Sequence, residues 1–285
     1  MKHRIPVLKG ILVCTTLLCP YLLFAQASAD IKDGRKLVWS DEFNYKGLPD
    51  STKWGYEEGF ERNQEPQYYT VGRLENGRVE NGCLVIETRK EEYPNKAYRP
   101  DSANWKQKDQ FAHYTSASIN TKGKASWKYG RIEMRAKVPP GLGIWPAFWM
   151  LGYDHGAVKW PLCGEIDIME YLGRDASTIY GTVHYTDTAG KFRNVGKAPV
   201  VENPADGFHI YGIKWDKKTI SFYYDSLKYF VFDYKQAEGN PGDVFKKDFY
   251  LLINMALGHQ GSWAGPVDDK ALPAKYYIDY VRVYQ

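Results

Sequence analysis

The sequence predicts an all-β protein, a β-sandwich of two antiparallel sheets, on three observations. Runs rich in β-branched and aromatic residues recur along the chain, clusters of Gly, Pro, Asn and Asp separate them, and helical periodicity is almost absent. The composition agrees, because 23 Tyr, 9 Trp and 12 Phe among 285 residues favour strands over helices. Many short strands with turn signals between them are typical of a sandwich.

The first element, residues 1–29, is predicted to be a signal peptide with its processing region. Three basic residues accompany an apolar run that ends near Phe24, and small residues follow it. An uncleaved membrane anchor is the alternative, but Pro20 and the small-residue tail favour cleavage. A lipoprotein signal is a further alternative, since Cys14 and Cys19 lie in the segment, although neither follows small residues. We therefore expect an exported protein without stable membrane insertion after cleavage.

Residues 30–285 are predicted to form one catalytic domain, because no Pro/Ser-rich linker or repeat divides them. Removal of the first 29 residues takes away three basic and no acidic residues, which leaves 35 basic residues against 34 acidic ones. A nearly neutral domain argues against nucleic acid as a partner and suits an uncharged ligand. We expect a monomer. Cys83 and Cys163 are too few for a disulfide scaffold, and either a bond between them or two free thiols is compatible with export.

The strand-like runs follow in a fixed order and end with a strongly β-prone segment. In chain order they are KLVWSDEF, CLVIETRKE, SASINTKG, GRIEMRAKVP, GIWPAFWML, EIDIMEYL, STIYGTVHYT, HIYGIKWD, TISFYYD, YLLINMAL and YYIDYVRVY. The last run is expected to pair within a sheet and to hold the C-terminus in place.

One of these runs carries three acids among apolar residues, in the segment WPLCGEIDIMEYLG. Alternation along a strand would point Glu165 and Asp167 to one face and Glu170 to the other. A solvated face would normally include Lys, Ser or Thr, which this segment lacks. A Ca²⁺ or Mg²⁺ site and a pair of catalytic carboxylates with a helper both remain open on local pattern alone.

Strand geometry favours the catalytic pair. One extra residue, a β-bulge near Ile168 and Met169, would return Glu170 to the face that holds Glu165 and Asp167. The two glutamates would then lie about 13 Å apart at their Cα atoms. Side chains that lean together would leave about 5 Å between the carboxyl groups, the separation that retaining glycosidases use.

This spacing assigns a separate role to each acid. Glu165 would attack the anomeric carbon, and Glu170, with a raised pKa, would protonate the leaving oxygen and later activate water. Asp167 would hydrogen-bond to Glu165 and help distribute charge and protons among the three groups.

The segment GEIDIMEYLG resembles the E-x-D-x-x-E signature of glycoside hydrolase family 16, in the bulged form of its laminarinase-like and mixed-linkage β-glucanase members. LVWSDEFN, NQEPQYYT, YTSASINTKGKASWKYGRIEMRAKVPPGLGIWPAFWMLG and YGTVHYTD also resemble segments of that family, in the same order. The resemblance implies a jelly-roll sandwich with a concave substrate cleft. It also implies an endo-acting, retaining β-glucanase on β-1,3 or mixed β-1,3/1,4 glucan, with Glu165 as nucleophile, Glu170 as acid/base and Asp167 as assisting carboxylate.

The resemblance extends to residues that would bind the glucan. Trp145 and Trp149 match cleft tryptophans, and their four-residue spacing places both indoles on one strand face. His184 matches a histidine near the acid/base. The loop NQEPQYY would hydrogen-bond sugar hydroxyls through polar side chains, and GHQGSWAGP would add a cleft aromatic. These are, in order, Asn63, Glu65, Gln67 and Trp263.

The resemblance also implies a structural Ca²⁺, although the chemistry itself would need no cofactor. Glu42, the carbonyl of Gly82 and Asp279 match the positions of its ligands, and oxygen donors from both ends of the chain would staple the sandwich.

A departure from the family pattern concerns substrate preference. Ser118 stands where relatives often have arginine, which predicts the loss of a charged donor near the nucleophile. The same family contains enzymes for agarose, porphyran and κ-carrageenan, transglycosylases acting on xyloglucan, and glucan-binding proteins without the glutamates. Both glutamates are present here, which argues against the non-catalytic alternative. The bulged motif argues against the transglycosylase.

Overall fold

The computed structural model describes residues 31–202 and 204–285, and these are almost entirely β-structure. The strands are β1 (Ile31–Lys32), β2 (Arg35–Asp41), β3 (Gly55–Tyr56), β4 (Gln67–Tyr69), β5 (Gly77–Glu80), β6 (Cys83–Pro94), β7 (Phe111–Ser116), β8 (Ser118–Asn120), β9 (Gly130–Lys137), β10 (Ile144–Gly152), β11 (Glu165–Tyr171), β12 (Ile179–Thr186), β13 (Phe192–Lys197), β14 (His209–Trp215), β15 (Thr219–Tyr224), β16 (Leu227–Asp233), β17 (Phe249–Leu257) and β18 (Ala274–Tyr284). One short 3₁₀ helix, Asp269–Ala271, precedes the last strand.

The strands form two sheets. The larger sheet has 11 strands and follows the order β16-β15-β14-β9-β18-β6-β7-β4, with β1, β2 and β5 attached at its sides. The smaller sheet has seven strands in the order β13-β12-β11-β10-β17-β8-β3. Neighbours are antiparallel except for β4 and β7, which run parallel. This architecture confirms the all-β sandwich, and the order of strands shows that sequence neighbours are often separated within a sheet.

Apolar side chains from both sheets meet in one core because each strand turns alternate residues inward. In β10 the inward residues include Ile144, Phe148 and Met150, all fully buried. From the opposite sheet, strands β9, β14 and β18 contribute Ile, Met, Tyr, Trp and Val side chains to the same cluster. The outward face of the seven-stranded sheet is thus left free to carry polar and aromatic groups.

The long apolar runs correspond closely to strands of the structure, whereas short and polar strands are not visible in the sequence. EIDIMEYL predicts β11 to within one residue, and YYIDYVRVY lies within β18. The strands β3, β4 and β13 have two, three and six residues, and β13 is largely exposed, so their sequences carry little periodicity. The C-terminal strand pairs with β2, β6 and β9, as predicted for a strand that ties down the end of the chain.

Two predictions about the mature chain are answered differently. Cys83 and Cys163 are both free thiols, so the alternative of a bond between them is excluded. The signal peptide proposed for residues 1–29 lies outside the described residues and stays a prediction. Within the described part of the chain, no helix has the length and apolar character needed to cross a membrane.

Candidate active site

A one-residue bulge in β11 sets the positions of the three acids. Along the ladder shared with β10, Asp167 and Met169 pair with consecutive residues, so Ile168 has no partner there. The ladder to β12 shifts register at the same place, between Asp167 and Glu170. Ile168 and Met169 are both buried in the core, which accounts for two consecutive inward side chains. The bulge predicted from the sequence is confirmed, and it turns Glu170 outward.

Glu165, Asp167 and Glu170 consequently line one cleft of about 1000 Å³ on the outer face of the seven-stranded sheet. A cleft of this volume accommodates several sugar rings and is at the upper end of the range for ligand sites. The walls come from β10, β12, β13, β17 and the loops after β3 and β17. Three carboxyl groups that lie close together in one groove compete for protons.

Burial is the main cause of the unusual proton affinities in this groove. Burial, together with the neighbouring Asp167 charge, raises the pKa of Glu165 to about 8, and His184 and Arg62 limit this rise. Burial, followed by the charges of Asp167 and Glu165, raises the pKa of Glu170 well above its ordinary value. The Glu165 side chain keeps 18% exposure, so water in the cleft moderates the effect. At neutral pH the cluster of carboxyl groups therefore retains bound protons, and Glu170 is suited to act as an acid.

His184 lies directly opposite Glu165 in the β11–β12 ladder. Its Nε2 is 3.0 Å from Asp167 Oδ2 and 3.7 Å from Glu165 Oε1. The resemblance placed this histidine near Glu170, and His184 lowers the pKa of that group, while its direct contacts are with Asp167 and Glu165. The Phe192 ring lies parallel to the imidazole, 6.0 Å away, and limits its rotation. A protonated His184 would stabilise the anionic forms of both acids.

The groups that could bind a cation at this site are the same side chains. Ligand atoms of Glu165, Asp167 and His184 lie within 4.8 Å of one another. The mixed set of two carboxylates and an imidazole differs from the all-oxygen donors that Ca²⁺ and Mg²⁺ prefer. The catalytic interpretation accounts for Glu170 as well, which this cation set leaves out.

An aromatic wall stands beside Glu170. Trp145 Nε1 donates to Glu170 Oε1 at 3.1 Å, which holds the carboxyl in one orientation. Trp263 meets Trp145 edge to face at 5.4 Å and Tyr180 at 4.8 Å between ring centroids. Trp263 remains 40% exposed, so its face is available to a pyranose ring. The structure thus brings together two of the predicted cleft tryptophans beside Glu170.

Trp149 lies in the cleft on the same strand face as Trp145, as predicted, but its ring is largely covered. It lines the cleft but is only 8% exposed, and its Nε1 donates to Asn254 Oδ1 at 2.8 Å. The Arg62 guanidinium lies 5.0 Å from the ring centroid. Trp149 therefore forms the floor under Arg62 and does not offer an open face to sugar. Asn254, the only polar residue in YLLINMAL, is the sequence signal for this contact.

The loop NQEPQYY divides into two parts. Asn63 and Glu65 line the cleft, and Asn63 Nδ2 donates to Glu65 Oε1 at 3.0 Å. Gln67 is fully buried, donates to Glu65 Oε2 at 2.8 Å and accepts from the Leu257 amide at 2.8 Å. The prediction that Gln67 binds sugar is corrected, because its amide is used to join the loop to β17.

Residues not singled out from the sequence complete the cleft. Arg62 donates to the Glu57 carboxylate, and Ser118 Oγ donates to the same oxygen, Glu57 Oε2, at 2.5 Å. Arg62 therefore places a charged donor beside Ser118, and the predicted loss of a sugar contact at Ser118 stays a prediction. At the opposite rim, Trp160 and Phe192 lie 5.2 Å apart and are 46% and 44% exposed. Trp160 is the first residue of the segment that carries the three acids. Its closeness to them in the sequence could have identified it as a cleft residue.

The predicted calcium ligands are occupied by other partners. Both Glu42 oxygens accept from Arg282, at 2.9 and 2.7 Å, and Asp279 accepts from Arg135 at 2.6 Å. Gly82 lies in the turn before β6. Carboxylates neutralised by guanidinium groups are ion pairs and offer little negative charge to Ca²⁺. The residues present do not fit the calcium prediction.

Comparisons with known proteins give a consistent result. Residues 64–282 match the model of the family described as "Glycosyl hydrolases family 16". A curated "Beta-glucanase" of Rhodothermus marinus is 42% identical over 263 residues, which cover 88% of this chain and 85% of that protein. The solved laminarinase from Rhodothermus marinus is 41% identical, covers 88% of this chain and 97% of its own, and has a TM-score of 0.75. A solved chain described with the words "Prominent members of the human gut microbiota express endo-acting O-glycanases to initiate mucin breakdown" is 39% identical. It covers 90% of this chain and 92% of its own, with a TM-score of 0.80.

Proposed function

The chain belongs to glycosyl hydrolase family 16, and from that membership we propose an endo-acting, retaining β-glucanase that hydrolyses β-1,3 or mixed β-1,3/1,4 glucan. The observation that carries the proposal is the bulged strand β11, which places three carboxyl groups on one face in a long open cleft. An open groove suits internal cleavage of a polysaccharide, since a chain can lie across it without presenting an end.

In the first step, Glu165 attacks the anomeric carbon while Glu170 donates its proton to the glycosidic oxygen. The bond from carbon to the leaving oxygen breaks, and a glycosyl-enzyme ester forms on Glu165. The raised pKa of Glu170 keeps the proton on this group until it is needed, and Trp145 orients the carboxyl.

In the second step, the deprotonated Glu170 takes a proton from water, and the resulting oxygen attacks the same carbon from the opposite face. Glu165 leaves as a carboxylate, so two inversions give net retention. Asp167 supports Glu165 in both steps, because the hydrogen bond between the two side chains lets Asp167 hold the proton that Glu165 gives up before it attacks. His184, whose Nε2 lies 3.7 Å from Glu165 Oε1, stabilises the resulting Glu165 carboxylate.

A second candidate function is endo-cleavage of a mucin-type O-glycan. The solved chain described in connection with O-glycanases has a TM-score of 0.80 with this chain, above the 0.75 of the laminarinase. The cleft wall that carries Arg62 also offers a charged donor that could bind an oxygen of such a glycan. The retaining chemistry would be the same for both substrates.

We further propose export and action on a polysaccharide outside the cytoplasm. The predicted signal peptide supports export, and the nearly neutral mature domain suits an uncharged polymer.

Product analysis tests the proposal. Purified protein is incubated with laminarin, barley β-glucan, lichenan, xyloglucan, agarose and a mucin O-glycan preparation, with Glu165→Gln as the inactive control. We expect oligosaccharides of several lengths early in the digestion of a β-1,3-containing glucan. Cleavage of the O-glycan alone would favour the second candidate, and release of no product from any glycan would refute both.

A further inference from the structure

We propose that Arg62 is a substrate-binding residue that donates a hydrogen bond to a neutral oxygen acceptor of the glycan on the Glu165 side of the cleft. The acceptor would be a sugar hydroxyl or an acetamido carbonyl. The inference deepens the proposed function and rests on it in one respect, that the ligand is a glycan.

The guanidinium of Arg62 is held in one orientation by contacts on several sides. It donates to Glu57, whose carboxylate also accepts from Ser118 Oγ at 2.5 Å. Its plane lies near two aromatic rings, with centroids 5.0 Å away for Trp149 and 6.0 Å for Tyr69. A side chain fixed in this way loses little conformational entropy when it binds a ligand.

One nitrogen of this fixed group lacks a partner. Arg62 lines the cleft, and its Nη1 is shielded from solvent yet makes no hydrogen bond within the described residues. A buried charged donor without an acceptor is unfavourable, and the usual explanation is a ligand or water that supplies the missing oxygen. The positive charge of Arg62 also lowers the pKa of Glu165, so the guanidinium lies on the Glu165 side of the cleft. A glycan lying across the cleft would reach this donor.

The surroundings decide the charge of the acceptor. Glu57, Glu61 and Glu65 all lie near Arg62, and one further cation, Lys106, is 3.6 Å from Glu61. Burial raises the pKa of Glu61 and Glu65, and each of these carboxyls that keeps its charge repels an anionic sugar substituent. A sulfate or carboxylate on the sugar would also lose its own hydration here, whereas a neutral oxygen accepts from Nη1 without either penalty.

The test compares Arg62→Gln and Arg62→Lys with the matched control Arg99→Gln, an exposed arginine outside the cleft. Each is assayed on laminarin oligosaccharides of increasing length. Each is also combined with Glu165→Gln, and binding of the same oligosaccharides is measured by calorimetry. We expect Arg62→Gln to lower kcat/KM by about 10- to 100-fold and to weaken binding similarly, with Arg62→Lys intermediate and the control unchanged.

Values of kcat/KM and Kd within about twofold of the parent in a folded Arg62→Gln protein would overturn the inference. If Arg62→Gln lost its cooperative melting transition, parent-like binding by folded Arg62→Lys would overturn it, because ammonium cannot reproduce two directed donors. Tighter binding of chemically sulfated laminarin than of laminarin would contradict the neutral acceptor. Failure of the proposed function would be recognised separately, since the unmutated enzyme would then cleave neither laminarin nor the O-glycan; in that case binding to the O-glycan tests Arg62.

Discussion

Two buried glutamates, one on each sheet, show how the same residue type serves stability in one place and chemistry in another. Glu133, on β9 of the larger sheet, is completely buried and accepts from Lys32 at 2.8 and 2.7 Å and from Arg131 Nε at 2.7 Å. Glu170, on β11 of the smaller sheet, accepts from the neutral Trp145 indole at 3.1 Å and has two other acids nearby.

The difference lies in the partners and in the backbone. Glu133 belongs to a regular strand and meets two cations, so its charge is compensated where it is buried. Glu170 follows a bulge that aims it into a groove of acids, and its pKa rises because the ionised form has too little stabilisation. A buried carboxyl that has no cationic partner retains its proton and can donate it.

The largest expected effect is on hydrolysis. Glu165→Gln should reduce kcat/KM on the preferred glucan by on the order of 10⁴-fold or more, because the amide cannot form the glycosyl ester. Glu170→Gln should cost about 10²- to 10⁴-fold, and less on an aryl glycoside whose leaving group needs no proton. Glu133→Gln is the control, a fully buried glutamate outside the cleft. Equal losses in all three variants would remove the distinction between the two sites.

The next effect is on folding. Glu133→Gln should lower the free energy of unfolding by about 3 kcal/mol, since buried Arg131 would lose the charged partner at its Nε and keep only the 3.4 Å contact with Asp33, while Lys32 could turn to solvent. Urea denaturation followed by tryptophan fluorescence measures this loss. Folded Glu133→Gln should keep kcat/KM near that of the parent. A stable variant with impaired catalysis would mean that Glu133 acts on the cleft through the sandwich.

The pH dependence of stability should distinguish the sites further. The pKa of Glu165 rises from 4.5 to about 8 on folding, so the folded protein binds the proton more tightly than the unfolded chain. The free energy of unfolding should therefore fall as the pH rises through this interval. Glu165→Gln should make this total decrease in the free energy of unfolding smaller by roughly 1 to 3 kcal/mol, and the decrease that remains is due to Asp167 and Glu170. Unfolding titrations at several pH values check this, and identical slopes in parent and variant would contradict it.

Chelation should have the smallest effect. Glu42 and Asp279 are paired with Arg282 and Arg135, so excess chelator is expected to change Tm by less than about 1 °C. Differential scanning calorimetry with and without chelator, and with added Ca²⁺, provides the measurement. A decrease of several degrees that Ca²⁺ reverses would restore the calcium site predicted from the sequence.

The sequence predicts the catalytic strand well because its information is local. Three acids, an alternation and one extra residue lie within six positions, and the bulge at Ile168 follows from them. The side-chain contacts of Trp149 and Gln67 could not be predicted from local sequence. Trp149 is covered by Arg62 from a distant loop, and Gln67 is engaged by the Leu257 amide 190 residues away. Long-range partners decide which cleft residues face the substrate.

The calcium prediction is not confirmed, for a related reason. Glu42 and Asp279 occupy positions at the two ends of the chain that β2 and β18 bring onto one sheet. The sequence did not reveal that Arg282 on β18 and Arg135 on β9 would form ion pairs with these carboxylates. The resemblance correctly identified the strands, whereas the charge partners depend on this chain alone.

The anomeric configuration of the first product tests the central claim most directly, namely that Glu165 and Glu170 act together as nucleophile and acid/base. Proton NMR during the first minutes of glucan digestion resolves the anomeric proton of the new reducing end before it equilibrates. With Glu165 as nucleophile and Glu170 as acid/base, we expect the β-anomer to form first and the α-anomer to follow by mutarotation. An α-anomer that forms first would show inversion and contradict the assignment of Glu165 as nucleophile.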